Sequence, residues 1–157
     1  MAVNDWIPLI LGYVFAVIFG GYCVPVVVKK LWSDPKWAEL YPKDYLSDLV
    51  GTVERTLYVA AFQIQHEGFI GVWLLLKVAF QWQSCSGRDP TQVRSIHNIF
   101  LIGNGLSIAY ALVGVKLSEW LQAGELSLAI GVPGSLLLGT FALWKMIDIY
   151  LSPPRHS

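Results

Sequence analysis

Charge and cysteine are both scarce in this 157-residue chain, and each scarcity excludes a class of protein. Charged residues make up 14%, eleven Lys and Arg offset eleven Asp and Glu, and the formal net charge is zero. Such a chain has no basic footprint for a polyanion, so nucleic acid is not expected among its partners. The two cysteines, Cys23 in an apolar run and Cys85 in a polar loop, provide neither a disulfide framework nor a metal-ligand spacing. No metal and no cofactor are expected. Nucleophile elbow, glycine-rich phosphate loop, His-Glu-x-x-His and paired catalytic carboxylates are missing as well, so no catalytic residue is assigned and an enzyme is the weaker expectation. Hydrophobic residues, by contrast, reach 55%, with a mean hydropathy of +0.53. Ordinary soluble domains carry about a quarter charged residues. The composition is that of an all-α integral membrane protein, read as a single membrane domain over residues 1–157.

The first apolar block, Trp6 to Val28, gives about 34 Å of helix, enough to cross about 30 Å of hydrocarbon. A cleaved signal peptide fits poorly, because Asp5 stands where the leading region is basic, and a lipoprotein signal fails because the bulky Tyr22 precedes Cys23. Gly12, Ala16 and Gly20 recur every four residues, a stripe of small side chains on which another helix can pack closely. Pro25 is expected to kink or end this helix. Between Lys29 and Tyr45, Ser33, Asp34 and Pro35 read as the start of a short interfacial helix over about 34–41. Its Trp37, Leu40 and Tyr41 would face the headgroups, and Lys36, Glu39 and Lys43 the water.

Two arrangements compete from Leu46 to Trp82. Either one long helix carries Gln63, Gln65, His66 and Glu67 through the bilayer centre, or the polar string from Gln63 to Gly68 is a turn between two helices. Lysine and arginine placement separates them. With four spans the cations divide almost evenly between the two sides. With five, Lys29, Lys30, Lys36, Lys43, Arg88, Arg94, Lys145 and Arg155 share one side and only Lys116 lies on the other. The sequence therefore predicts a bundle of five transmembrane helices, with four as the alternative. They fall at about 6–28, 46–65, 68–82, 96–115 and 126–143, with the N-terminus outside and the C-terminus cytoplasmic. An outer loop from Lys116 to Glu125 would carry Trp120 as an anchor, and Gly131, Pro133 and Gly134 would loosen the last helix.

A turn at His66 and Glu67 puts Glu54, Arg55 and Lys77 all about 15 Å deep. Unpaired charges there cost about 2.5 to 3.5 kcal/mol each, so pairing is required. Glu54 neutralises one of the two cations, and Asn104 and Ser107 on the fourth helix reach a similar depth. One reading meets the remaining positive charge with an anionic ligand, a lipid phosphate or a partner's carboxylate. The other pairs Glu54 with Arg55 and lets Lys77 stretch toward the cytoplasmic headgroups. In the four-span alternative His66 and Glu67 form a buried titratable pair suited to a proton relay. A haem between His66 and His97 fails in both arrangements, because the two lie near opposite ends of adjacent spans.

The segments Gly51-Thr-Val-Glu54-Arg55-Thr-Leu57, Gly68-Phe-Ile-Gly71 leading to Lys77, and Phe100-Leu-Ile-Gly103-Asn-Gly-Leu106-Ser107 resemble a pattern in small uncharacterised bacterial inner-membrane proteins. The resemblance covers about a third of the chain. It implies location in a bacterial inner membrane and groups Glu54, Arg55, Lys77 and Ser107 as one constellation, without implying an activity. The functional expectation is a non-catalytic subunit or assembly factor of a membrane complex, forming homo- or hetero-oligomers among membrane lipids. A small transporter or channel component with a path past Glu54, Arg55, Lys77 and Asn104 is the alternative.

Overall fold

A computed structural model describes residues 6–34, 46–85, 87 and 89–152. Every element among them is helical: α1 (Trp6–Trp32), α2 (Leu46–Gln63), α3 (Gly68–Ser84), α4 (Pro90–Ala123) and α5 (Leu126–Leu151). Three of these, α1, α4 and α5, are long and apolar enough to cross a membrane. α2 carries Asp48, Glu54 and Arg55 within 18 residues, and α3 has only 17 residues. The surface helix expected over 34–41 lies, beyond Asp34, outside the described residues.

α4 is the axis of the bundle, packing against α1, α2 and α5. Its 34 residues extend about 51 Å, longer than the about 30 Å of hydrocarbon in a typical bilayer. Asp89 caps the start, accepting a hydrogen bond from the Thr91 amide at 2.8 Å, with Pro90 in the first turn. The Thr91 hydroxyl and amide hold the Asp89 carboxyl below its ordinary pKa. Gly124 closes the far end at φ 76, a left-handed conformation that glycine adopts without strain. The outer loop expected from Lys116 to Glu125 is therefore corrected. Lys116 and Glu119 belong to the last turns of α4, paired at 2.6 Å, and the connection to α5 is only Gly124 and Glu125. These turns stay helical because Ser118 packs against Gly12 of α1 and Gly124 caps the end.

The small-residue stripe is used within the chain. A Cβ on Gly12 would run into the Gly114 carbonyl and the Ser118 hydroxyl, one on Gly114 would meet Ala16 Cβ at 2.8 Å, and one on Gly20 would meet Arg55 Cδ at 2.9 Å. Between these glycines α1 makes one π-helical turn at Phe15–Phe19. Eight residues of regular α-helix drift by about 80°, and one inserted residue cancels most of that drift. Gly12, Ala16 and Gly20 consequently all stay on α4. Pro25 neither ends nor breaks the helix, which runs on to Trp32. α5 is likewise continuous through Pro133 and ends at Leu151, beyond Trp144 and Lys145. Lys30 and Asp148 join the C-terminal ends of α1 and α5 at 2.5 Å.

Tyr58, Val59, Ala61, Ala16, Ala111 and Val115 form the core between α1, α2 and α4. α3 stands at the edge: Ile70 is its one buried apolar residue among those described, while Val72, Leu75, Phe80 and Trp82 are 58 to 72% exposed.

Two substitutions test this packing. Gly114→Val should destabilise the purified protein by about 1 to 3 kcal/mol, the usual cost of overpacking. Gly131→Ala, where nothing lies within 4 Å of the added carbon, should be neutral or stabilising by about 1 kcal/mol or less. Thermal midpoints in one detergent compare the two.

Candidate functional site

The polar string resolves into a tight reversal. α2 ends at Gln63, Gln65 adopts φ 58, and α3 begins at Gly68. The His66 amide donates to the Ala61 carbonyl at 2.8 Å, which closes the end of α2. His66 and Glu67 are exposed in this turn. They are not buried side by side within the described residues.

Because the chain turns back on itself, Glu54 and Lys77 face each other across the α2–α3 hairpin. The Lys77 ammonium lies 2.6 Å from Glu54 Oε1 and 2.8 Å from Oε2, and it donates to Asn104 Oδ1 on α4, also at 2.8 Å. It sits 5.0 Å from the centroid of the Phe100 ring, within range of a cation–π attraction. Trp73 donates its indole N–H to Glu54 Oε1 at 3.2 Å, and Asn104 donates to the Phe100 carbonyl at 2.8 Å. Glu54 is 4% exposed and Asn104 6%.

Arg55, 2% exposed, points into a different neighbourhood. Successive residues of a helix are turned by about 100°, so when Glu54 faces α3 its neighbour faces α1 and α4. Its guanidinium donates to Thr52 Oγ1 at 3.3 Å and, more weakly, to Ser107 Oγ at 3.5 Å. Three glycines make room for it. A Cβ on Gly20 would meet Arg55 Cδ at 2.9 Å, and a Cβ on Gly21 or Gly51 would meet its terminal nitrogens at 3.4 Å. Thr56 extends the polar contacts to Tyr13 on α1 at 3.0 Å.

The structure thus brings together Glu54, Lys77 and Asn104 on one side and Arg55 and Ser107 on the other. Gly12, Ala16 and Gly20 lie apart from the ion pair, in the α1–α4 contact. One expectation needs correction: Lys77 does not stretch to the headgroups but turns its ammonium onto Glu54, because a carboxylate and an amide oxygen lie within its reach. Sequence reasoning missed Trp73, Thr52, Phe100 and the glycine cradle. Spacing could have found several. Trp73 precedes Lys77 by four residues, as Gly51 precedes Arg55 and Phe100 precedes Asn104, and residues four apart share a helix face.

Compared with known proteins, the chain matches no family model, no curated protein and no solved structure.

The pairing makes a distinct expectation for mutants. Glu54→Gln or Lys77→Met alone leaves a charge buried and should cost about 3 to 5 kcal/mol. The double variant should recover most of that loss. Glu54→Gln should not rescue Arg55→Gln. Thermal midpoints of all five variants give the coupling energies, and equal coupling of Glu54 to both cations would contradict the assignment.

Proposed function

We propose that this protein is a non-catalytic, five-span subunit or assembly factor of a membrane complex, and that its intramembrane charges hold its own helices together. The observation that carries this reading is the thinness of the polar layer. On α2 it runs from Thr52 to Thr56 and on α4 from Asn104 to Ser107, about 5 to 6 Å along each axis. A path for a solute would string polar groups along the membrane normal. These groups instead gather at one depth, where they bond to one another.

Two contacts support five spans over four. The Lys30–Asp148 ion pair joins the C-terminal ends of the first and last helices, which supports an odd number of crossings over an even one. Gln63 and Gln65, at the α2–α3 turn, line one cleft with Leu9 and Gln122, so the hairpin reaches the end of the bundle where α1 starts and α4 finishes. Lysine and arginine placement orients that end outward. The cytoplasmic side is then the one holding Lys29, Lys30 and Lys145. A bacterial inner membrane accords with the sequence pattern around Glu54, Lys77 and Ser107.

Because the glycine stripe is taken up internally, the partner surface in this reading is the outer face of α3 and its lipid-exposed neighbours. Assembly with copies of itself or with other membrane proteins is the proposed state. Light scattering in mild detergent should show a defined particle larger than one 17.5 kDa chain. Liposomes holding the purified protein should be no leakier to ions than empty ones. A monomer that conducts would favour the transporter reading. Separately, His66→Cys in a background lacking Cys23 and Cys85 should label from outside intact cells; labelling from the cytoplasmic side alone would reverse the orientation.

A further inference from the structure

The oxygens around the Lys77 ammonium are positioned by bonds that do not involve it. Trp73 holds Glu54 through Oε1 at 3.2 Å, and the Phe100 carbonyl accepts from Asn104 Nδ2 at 2.8 Å, which turns Asn104 Oδ1 toward the gap between α2, α3 and α4. The ammonium then finds two carboxylate oxygens at 2.6 and 2.8 Å, an amide oxygen at 2.8 Å and an aromatic face at 5.0 Å. Preorganised oxygens with a single negative charge match one positive charge. Divalent ions call for more carboxylates and more oxygens, and no group of three His, Cys, Asp or Glu able to hold a metal ion occurs among the described residues. Ammonium and potassium ions are alike in size, and oxygen distances of 2.6 to 2.8 Å suit both.

We propose that Glu54 and Asn104 form a preorganised site for a small monovalent cation, and that Lys77 is its covalently tethered occupant. Trp73 lies on α3 too, so the site is complete once α3 lies on the bundle, and the tether then supplies the cation there at a high effective concentration. Cutting the side chain back to Cβ empties the position while Trp73 and the Phe100 carbonyl still hold the oxygens. The vacated shell then takes a free primary ammonium or potassium ion. Choline is too bulky and has no N–H to donate, and lithium is too small to span the oxygens.

The test uses full-length Lys77→Ala in mild detergent, with choline, lithium, potassium and ethylammonium chlorides at equal ionic strength. The thermal midpoint should be low in choline and lithium. It should climb with the logarithm of ethylammonium or potassium concentration, by about 3 to 5 °C for each tenfold increase above the Kd. The unmodified protein should have nearly the same midpoint in all four salts. The Glu54→Gln, Lys77→Ala double variant should not respond. A response to ethylammonium alone assigns the selectivity to N–H donation, and a response to potassium as well assigns it to size; both support the site. Equal midpoints in all four salts, or an undiminished response in the double variant, overturn it. Should Lys77→Ala fail to fold in choline, recovery of monodisperse protein from ethylammonium buffer is the same rescue, and failure in both buffers overturns the proposal.

Discussion

The contact on which the rest of the structure depends is the ion pair between Glu54 and Lys77, closed by Asn104. Lipid is as apolar as leucine, so apolar contact alone gives helices in a bilayer no hydrophobic reason to associate. In the proposed five-span arrangement α3 shows the consequence. Most of its apolar side chains face outward; Ile70, Trp73 and Leu74 pack on the core, and one ammonium shared between α2 and α4 ties the helix to both. Each of the polar groups is costly in hydrocarbon by itself, and together they offset one another. The cost of separating them is what specifies the hairpin and its register.

Between α1 and α4 the same problem is solved by close approach of the backbones. Gly12, Ala16 and Gly114 let two backbones approach until almost no further atom fits, and dispersion between close surfaces replaces water exclusion as the source of attraction. The π turn at Phe15–Phe19 links the two solutions. It keeps the small residues on α4 while Gly20 and Gly21 present a hollow for Arg55. Tyr110, wholly buried, donates to Thr140 at 3.1 Å and brings α5 into the same framework.

Several of these features were legible in the residues alone. The reversal at His66 followed from a polar string and from lysine placement, and the meeting of Glu54, Lys77 and Asn104 followed from counting residues away from it. The choice of partner for Glu54 was not legible. It depends on the rotational phase of α2 about its own axis, which no hydropathy pattern fixes when both flanks of a helix carry polar residues. The glycine stripe was visible, but spacing says only that something packs there, and α4 of the same chain satisfies it as well as a foreign helix would. Helix ends were underestimated for a related reason. The hydrocarbon thickness bounds the apolar run, whereas caps such as Asp89 and Gly124 bound the helix.

The reversal itself is the point on which the account turns, and a distance measures it. Spin labels at Val50→Cys and Phe80→Cys, in protein lacking Cys23 and Cys85 and reconstituted in bilayers, report the separation of two exposed sites near the same end of α2 and α3. Packed antiparallel helices lie about 8 to 10 Å apart, so with the length of the labels the hairpin predicts a distribution centred at about 15 to 25 Å. A single rod through residues 50–80 would separate the labels by about 45 Å, and a peak there would contradict the hairpin and the ion pair built on it.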